Sequence, residues 1–295
     1  MDYVQEVLPH LFLVDVEHFG EAGLGGAYIL LGEGEAALVD TGPSLARDRI
    51  LGALEFLGIP RAMVRWIFLT HIHLDHAGGA GVLVPELPKA RVVVHPRGVK
   101  HLVDPSRLLF STQSATGPRF RFYGTAVPIP EERLLPASDG ETLRLGSQEV
   151  RVIDAPGHAP HHLCFFLPGA GLLFTGDAVG LYLKGRLLPT TVPPNFDLEL
   201  WLSTLDRLSA LRPQKLLFAH FGPGEADLIG EYKKLLLAWV ERVRRHKGAP
   251  EEDAIAAILG ELREEGWPVG PGVSGDWTMS VRGVLLYLRR QEASG

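Results

Sequence analysis

A cluster of three histidines and one aspartate constrains this chain more than any other feature. His71, His73, Asp75 and His76 fall within six positions, directly after the short apolar run 66–69. A continuous apolar run of this length is typical of a buried strand, which places the cluster at a strand end. If the backbone stays extended, His71 and His73 point to the same face, and a following turn can present Asp75 and His76. Imidazole and carboxylate groups in this pattern predict a metal site.

The composition of the chain indicates which class of protein contains this site. The chain has 295 residues, of which 46% are hydrophobic and 22% charged. These values are typical of a globular protein with a substantial core. The net charge of −6 gives no general attraction to nucleic acid or to anionic membranes. No apolar stretch is long enough to span a bilayer, and the N-terminus does not have a signal-peptide pattern, so we expect a cytoplasmic protein. The single cysteine, Cys164, lies in an apolar stretch and is expected to be a buried, inert thiol.

Short apolar runs alternate with helical patterns and Gly/Pro turns. The runs 11–16, 27–31 and 36–39 predict successive strands of a meander. Ser44 and Asp197 are the predicted N-caps of two amphipathic helices. Later predicted strands are 91–94, 143–145, 150–153, 163–167, 172–174 and 215–219. Hairpins in both halves, with helices between them, favour an α/β (α+β) fold of two packed sheets covered by helices over one doubly wound sheet.

Two segments stand apart from this alternation. Residues 101–130 have no regular periodicity and mix polar with aromatic side chains, which predicts a lid or binding loop. From residue 230 onward the pattern is helical. We therefore expect a catalytic domain over 1–229 and a small helical C-terminal region over 230–295. Apolar faces of these C-terminal helices could form a homodimer contact.

Three later positions resemble the first cluster in their setting. His158, Asp177 and His220 each follow an apolar run, at the end of a predicted strand. Singly, a capping aspartate or a turn histidine would explain each of them. Together with the first cluster they supply seven ligand-type groups, which a rigid scaffold can direct into one cleft.

These motifs, taken in order, resemble those of the metallo-β-lactamase superfamily. The chain matches the His-x-His-x-Asp-His signature at 71–76, the Gly-His at 157–158 and the Gly-Asp at 176–177. It also has the late histidine, His220, and an early Asp-Thr-Gly at 40–42 that ends a predicted strand. Five ordered motifs make the resemblance highly specific for the fold.

The resemblance covers about residues 3–224 and implies an αββα sandwich that carries two divalent cations, with zinc expected and manganese or iron as alternatives. One cation would be bound by His71, His73 and His158, the other by Asp75, His76 and His220, with Asp177 bridging. Asp40 and His162 would hydrogen-bond to ligating groups and fix their orientation. His161 occupies a position that is usually glycine in relatives, so the local loop shape is left open.

Two neighbouring cations can share one water and lower its pKa toward neutrality, which provides hydroxide without a strong external base. Asp75 would orient this nucleophile or carry a proton to the leaving group. The leading hypothesis is hydrolysis of an ester, thioester or lactone of a small molecule. Tyr123 and Tyr182 are candidates to hydrogen-bond the developing oxyanion. Cleavage of β-lactams is not expected, because that activity is normally secreted.

Three alternatives compete with this hypothesis. A phosphodiesterase or nuclease could use Arg119 and Arg121, beside Phe120 and Phe122, to bind phosphate and stack a base, although the net charge argues against it. A mononuclear iron oxygenase acting on persulfides would need only two histidines and the bridging aspartate as ligands. A non-catalytic binding protein would leave charged ligands crowded in a cleft, which costs stability.

Overall fold

The computed structural model describes residues 1–267, 269 and 274–294. The strands are β1 (Val4–Leu8), β2 (Leu11–Asp15), β3 (Gly26–Leu31), β4 (Ala36–Val39), β5 (Val64–Phe68), β6 (Arg91–Val94), β7 (Leu134–Pro136), β8 (Thr142–Leu145), β9 (Gln148–Asp154), β10 (Leu163–Leu167), β11 (Leu172–Gly176), β12 (Leu181–Leu183), β13 (Arg186–Leu188), β14 (Lys215–Phe218) and β15 (Gly222–Glu225). The helices are α1 (Arg47–Phe56), α2 (Leu74–Ala77), α3 (Ala80–Leu83), α4 (Val99–Val103), α5 (Ser106–Thr116), α6 (Leu198–Ala210), α7 (Leu228–Arg245), α8 (Glu251–Glu264) and α9 (Ser274–Ser294).

Two large sheets form the centre of the molecule. The first contains β1 to β7 in chain order, with an antiparallel meander over β1–β4 and parallel pairing from β4 to β7. The second has the order β15-β14-β11-β10-β9-β8, with one parallel pair, β11 with β14. A small hairpin, β12 with β13, stands beside them. The predicted meander is confirmed.

Side chains alternate between two cores along the central strands, because successive residues of a strand point to opposite faces. In β4, Ala37 and Val39 face the second sheet, whereas Leu38 faces helix α1. In β10, Phe165 lies between the sheets and Phe166 faces the helices on the other side. Both strands are buried on both faces, which explains why their sequences are continuous apolar runs.

Helices cover the outer face of each sheet. Ile50 and Leu54 of α1 pack on the first sheet, and Trp201 of α6 packs on the second. The layer order is helix, sheet, sheet, helix, so the predicted αββα sandwich is confirmed. Within the described residues, no helix is long and apolar enough to cross a membrane.

The C-terminal helices share one continuous core with the second sheet. Ile258 of α8 and Val284 of α9 belong to the same buried cluster as Phe218 of β14 and Trp201 of α6. The predicted helices from residue 230 onward are present, apart from residues 268, 270–273 and 295, which lie outside the described residues. The division of the chain at residue 230 stays a prediction.

The prediction of an irregular loop over 101–130 is wrong for its first half. This segment forms the end of α4, all of α5 and a 3₁₀ turn over 117–122. Helix α5 has no buried residue, and Phe110 is 70% exposed. Because no face of α5 is buried in a core, its sequence does not show the apolar periodicity by which amphipathic helices are recognised.

The predicted caps have different outcomes. Asp197 caps α6 as expected, since its carboxylate accepts a hydrogen bond from the Leu200 N–H at 3.0 Å. Ser44 does not cap α1, so that prediction is wrong. Its hydroxyl donates to the Tyr123 carbonyl at 3.1 Å and accepts from the Thr125 N–H at 2.8 Å. Ser44 therefore connects the segment 117–125 to the edge of the first sheet by hydrogen bonds.

Cys164 lies in the core between the second sheet and its covering helices. Its side chain is fully buried in β10, and burial raises the pKa of its thiol. A thiol with a raised pKa carries little thiolate and is a poor nucleophile, as expected of an inert cysteine.

Candidate metal centre

Every predicted ligand follows a strand, and these strand ends meet at one edge of the sandwich. The cluster 71–76 follows β5, and Asp177 and His220 follow the parallel neighbours β11 and β14. His158 follows β9, after a turn in which Gly157 has φ +135°. A Cβ at Gly157 would lie 2.4 Å from Cα of Trp201, so the turn requires glycine.

The first ligand group contains His71, His73 and His158. Nε2 of His71 lies 2.9 Å from Nδ1 of His73, and Nε2 of His158 lies 3.1 Å from the same Nδ1. His71 and His158 are buried, and His73 borders a cavity. Three imidazole nitrogens therefore converge on one point, as the predicted first cation site requires.

The second group contains Asp75, His76 and His220. Nε2 of His220 lies 3.2 Å from Nε2 of His76 and 3.5 Å from Oδ2 of Asp75. Oδ2 of Asp75 is also 3.7 Å from Nε2 of His76. Two imidazoles and a carboxylate thus form a second set of converging ligand atoms.

Asp177 lies between the two groups. Its Oδ1 is 3.4 Å from Nε2 of His76 and 3.7 Å from Nε2 of His220, whereas its Oδ2 is 3.5 Å from Nε2 of His158. Oδ1 is buried and has no hydrogen-bond partner among the described residues. A buried, unpartnered carboxylate oxygen is costly unless a cation compensates it. The two oxygens of Asp177 therefore face different ligand groups, as a bridging carboxylate would.

Hydrogen bonds at Nδ1 of three histidines determine that the other ring nitrogen, Nε2, can bind a cation. Nδ1 of His158 lies 2.8 Å from the Thr190 carbonyl, and Nδ1 of His220 lies 2.6 Å from the Leu24 carbonyl. A carbonyl only accepts, so each Nδ1 carries the proton and donates it. Nδ1 of His76 likewise donates to Oδ2 of Asp40 at 2.8 Å. In the neutral form of all three rings, Nε2 therefore has its lone pair available for a cation, which is the usual arrangement of metal-binding histidines.

The distances fit divalent cations. A tetrahedral zinc ion with Zn–N bonds of about 2.0–2.1 Å separates its ligand atoms by about 3.3–3.4 Å. The converging nitrogens and oxygens are 2.9–3.7 Å apart. Neutral imidazole and carboxylate are also the ligand chemistry that zinc, manganese and iron accept.

Charges in the centre are strongly coupled. Burial lowers the pKa of His73 to about 3. Burial would raise the pKa of Asp177, but the His76 and His158 imidazoles hold it far below its usual value. Burial opposes protonation of His76, yet the carboxylates of Asp177, Asp75 and Asp40 raise its pKa. The two carboxylates facing the centre thus attract positive charge, which a bound cation would supply.

Asp40 contacts both the backbone and a proposed ligand. Besides the bond from His76, its Oδ1 accepts from the Thr70 N–H at 2.8 Å, and the Thr70 hydroxyl lies 2.8 Å from Oδ2. Its backbone has φ +57°, a left-handed conformation that is costly for a residue with a side chain and occurs often at functional sites. This position agrees with the orienting role predicted for Asp40.

Replacing Asp40 with asparagine is expected to lower metal affinity about 10–100-fold, since the variant loses the negative charge that holds His76. The measurement is a competition titration with a chelating dye. Asp154→Asn is the matched control, because Asp154 pairs instead with His95, at 3.2 Å. Equal affinities for wild type and Asp40→Asn would contradict the orienting role.

His162 contacts the backbone of the bridging residue. Its Nε2 accepts from the Asp177 N–H at 3.0 Å, and its ring stacks on His71 with centroids 4.8 Å apart. Its Nδ1 is buried without a hydrogen-bond partner among the described residues. His162 therefore positions the segment that carries Asp177, and it does not hydrogen-bond directly to a ligating atom.

Two further histidines adjoin the centre without having been predicted there. Nε2 of the buried His18 lies 3.9 Å from Oδ2 of Asp75, and burial lowers the pKa of His18 to about 4. The His161 ring lies 5.7 Å from the His73 ring, and its Nδ1 is buried without a partner among the described residues. The sequence could have indicated His161, because it is next to His162. It could not have indicated His18, an isolated histidine with no metal-binding motif around it.

The centre opens into a cavity of about 1370 Å³. Tyr123 lines this cavity, with its ring 5.3 Å from His18. Tyr182 does not line it, and its ring stacks on Phe218 with centroids 5.1 Å apart. This packing contact does not support a substrate role for Tyr182, and the role of both tyrosines as hydrogen-bond donors to an oxyanion stays a prediction.

The arginines considered for nucleic-acid binding face aromatic rings of this chain. The Arg119 guanidinium lies 4.0 Å above the Phe19 ring, and Arg121 lies 4.8 Å above the Phe122 ring. Phe122 also meets Phe19 edge to face, with centroids 5.6 Å apart. Arg121 thus covers one face of Phe122, which leaves less of this ring for a base to stack on.

The C-terminal helices support the segment that orients His158. The Thr191 hydroxyl donates to the Ser280 carbonyl of α9 at 2.7 Å, and the Trp239 indole of α7 donates to the Thr191 hydroxyl at 3.0 Å. A Cβ at Gly283 would lie 1.8 Å from the Thr191 carbonyl oxygen. Helix α9 therefore contacts the segment next to Thr190, the partner of His158.

Replacing Gly283 with alanine is expected to displace the segment at Thr191, because the added methyl overlaps a backbone oxygen. Overpacking of this kind costs about 1–3 kcal/mol. We expect a lower unfolding midpoint and a weaker affinity for one of the metals. Gly260→Ala in α8 is the control, since its Cβ would meet no atom within 4 Å. A Gly283→Ala protein with unchanged metal affinity would show that α9 does not support His158.

Comparison with known proteins agrees with this geometry. The family model described as the metallo-beta-lactamase superfamily matches residues 21–220. A metallo-beta-lactamase fold-containing protein of Sulfurisphaera tokodaii is 31% identical over 220 residues, which are 72% of this chain and 78% of that protein. The crystal structure of a metallo-beta-lactamase family protein from Thermus thermophilus superposes with a TM-score of 0.72 and 27% identity, covering 98% of this chain and 96% of that one.

A hydroxyacylglutathione hydrolase of Fuscovulum blasticum is 31% identical over 180 residues. The match covers 56% of this chain and 65% of the hydrolase, so it spans less than two thirds of that relative's own length. The family match, the shared fold and the converging ligand groups lead to one conclusion. The chain belongs to the metallo-beta-lactamase superfamily and has the fold of that superfamily.

Proposed function

We propose that the protein is a binuclear metallo-hydrolase of small-molecule esters, thioesters or lactones, and that thioesters are its main substrates. The observation that carries the proposal is the position of Asp177, whose two carboxylate oxygens face two separate ligand groups at the floor of one cavity. The hydroxyacylglutathione hydrolase among the relatives supports the choice of a thioester. Two zinc ions are the proposed cofactors, with manganese or iron as alternative occupants.

His71, His73 and His158 would hold one cation, and Asp75, His76 and His220 the other, with Asp177 shared. When bound, such cations lower the pKa of a water molecule toward neutrality and polarise a carbonyl oxygen. The chain's own residues would hold the metal-binding side chains in the required positions. The hydrogen bonds to Nδ1 of His76, His158 and His220 keep these ligand rings in place.

Asp75 is the residue proposed to move a proton. Its side chain is 21% exposed, whereas that of Asp177 is 5% exposed. Asp75 lines the cavity, and its carboxylate can accept a proton from the attacking water and return it to the leaving group. His18 lies beside Oδ2 of Asp75 and limits the directions from which this carboxylate can be reached.

A substrate panel tests the proposal. Metal-loaded protein is assayed with thioester, lactone and phosphodiester substrates, together with oxygen uptake on a persulfide. We expect thioester hydrolysis that a chelator abolishes and that added zinc restores. Phosphodiester turnover alone would overturn the substrate assignment. Oxygen consumption with one iron per chain would overturn the binuclear assignment.

A further inference from the structure

The wall of the cavity has the opposite charge sign from the protein as a whole. The chain has a net charge of −6, yet five of the residues that line the cavity are arginine or lysine. These are Arg97, Lys100, Arg107, Arg119 and Arg282. Apart from the proposed ligands Asp75 and Asp177, Glu131 is the acidic residue in the described lining. A cleft lined by one sign of charge concentrates ligands of the other sign.

The cations differ in how far other groups neutralise them. Arg282 pairs with Glu251 at 3.1 Å and with Glu252 at 3.0 Å, so its charge is compensated. Lys100 and Arg107 are exposed to the cavity and form no ion pair within the described parts of the chain. Two uncompensated charges therefore remain on the α4–α5 side of the cavity.

Arg97 joins this side of the cavity to the metal centre. Its guanidinium donates to the Pro160 carbonyl at 3.4 Å. Pro160 precedes His161, whose ring lies 5.7 Å from that of His73. The cationic side chains of segment 97–107 therefore lie beside the loop that contains Pro160 and His161. They line the same cavity as the proposed reaction centre.

The neighbourhood of His101 supports this placement. Burial lowers the pKa of His101, and the charges of Lys100 and Arg107 lower it further. Lys100 and Arg107 therefore lie near the same imidazole, and both line the cavity together with His101.

We propose that Arg97, Lys100 and Arg107, here called the cationic wall, bind a carboxylate or phosphate group that the substrate carries away from the bond to be broken. This inference rests on the proposed function and narrows its substrate class to anionic thioesters. Guanidinium and ammonium groups are the usual protein partners of both anions. Because these side chains are exposed, each contributes modestly, and the contribution falls with salt.

The test is equilibrium binding of non-hydrolysable thioether analogues to metal-loaded protein. Three analogues share one alkyl group and differ in the thiol: neutral N-acetylcysteamine, glutathione with carboxylates, and coenzyme A with phosphates. The double variant Lys100→Gln, Arg107→Gln is compared with Lys89→Gln. Lys89 is an exposed lysine that precedes β6, at the opposite end of this strand from segment 97–107.

We expect the double variant to bind the preferred anionic analogue about tenfold more weakly at low salt and the neutral analogue unchanged. The larger loss, for the glutathione or the coenzyme A analogue, identifies carboxylate or phosphate as the natural group. Lys89→Gln should bind all three as wild type does. If the double variant lost equal affinity for neutral and anionic analogues, or lost none, the proposed role of the cationic wall would be wrong.

Hydrolysis of the matching thioesters separates this inference from the proposed function. Wild-type protein that hydrolyses no thioester but binds anionic analogues selectively through Lys100 and Arg107 would overturn the proposed function and support the wall. Protein that hydrolyses neutral and anionic thioesters equally well in wild type and double variant would support the function and overturn the wall.

Discussion

Replacing His158 with alanine is expected to abolish hydrolysis and to remove one of the two proposed metals. Nε2 of His158 faces both Nδ1 of His73 and Oδ2 of Asp177, so its loss leaves the first site with two imidazoles and one shared carboxylate oxygen. We expect kcat/KM to fall more than about a hundredfold, because even residues that only orient ligands contribute about 10–100-fold. Elemental analysis and steady-state kinetics on the same preparation measure both effects.

Cys164→Ala is the control for His158→Ala. Cys164 is buried in the strand that follows the His158 loop, but its thiol faces the helix-side core and is not a proposed ligand. This variant should keep its metals and most of its activity. Unchanged turnover in His158→Ala would contradict the assignment of the first site.

Replacing Asp177 with asparagine is expected to affect both sites together. Asparagine has nearly the same shape, but it is neutral and offers one oxygen where Asp177 offers two. Asp75 would then be the remaining carboxylate among the seven proposed ligands, so both cations lose compensation. We expect less than one metal per chain and a loss of hydrolysis of more than about a hundredfold.

Asp206→Asn is the matched control for Asp177→Asn, because Asp206 forms a surface pair with Lys233. It should retain metal content and turnover. If Asp177→Asn kept two metals per chain, Asp177 would not bridge the sites, and its pairing with His76 and His158 would have only a structural role.

Much of the architecture follows from local sequence signals. The apolar runs that became β4 and β10 are buried on both faces, so their continuous hydrophobicity identified them as central strands. The ligand residues each follow such a run, and strands that end at one edge bring their following residues together. Assigning each ligand to one of two sites needed the family resemblance, since spacing alone does not distinguish them.

The features that sequence reasoning missed depend on contacts between distant segments. The hydroxyl of Ser44 contacts the carbonyl of a residue 79 positions later, which no local capping rule includes. Helix α5 formed without a buried face. His18 approaches Asp75 only because the turn after β2 folds over the metal centre. Each of these depends on tertiary placement that the local pattern does not contain.

The central claim is that two cations, joined by Asp177, activate water in this cavity. The most direct measurement is a titration of metal-free protein with zinc, in which bound metal and thioester hydrolysis are followed together. The account predicts saturation at two equivalents per chain, with hydrolysis rising as the second equivalent binds. Saturation at one equivalent, or full hydrolysis without added metal, would contradict it.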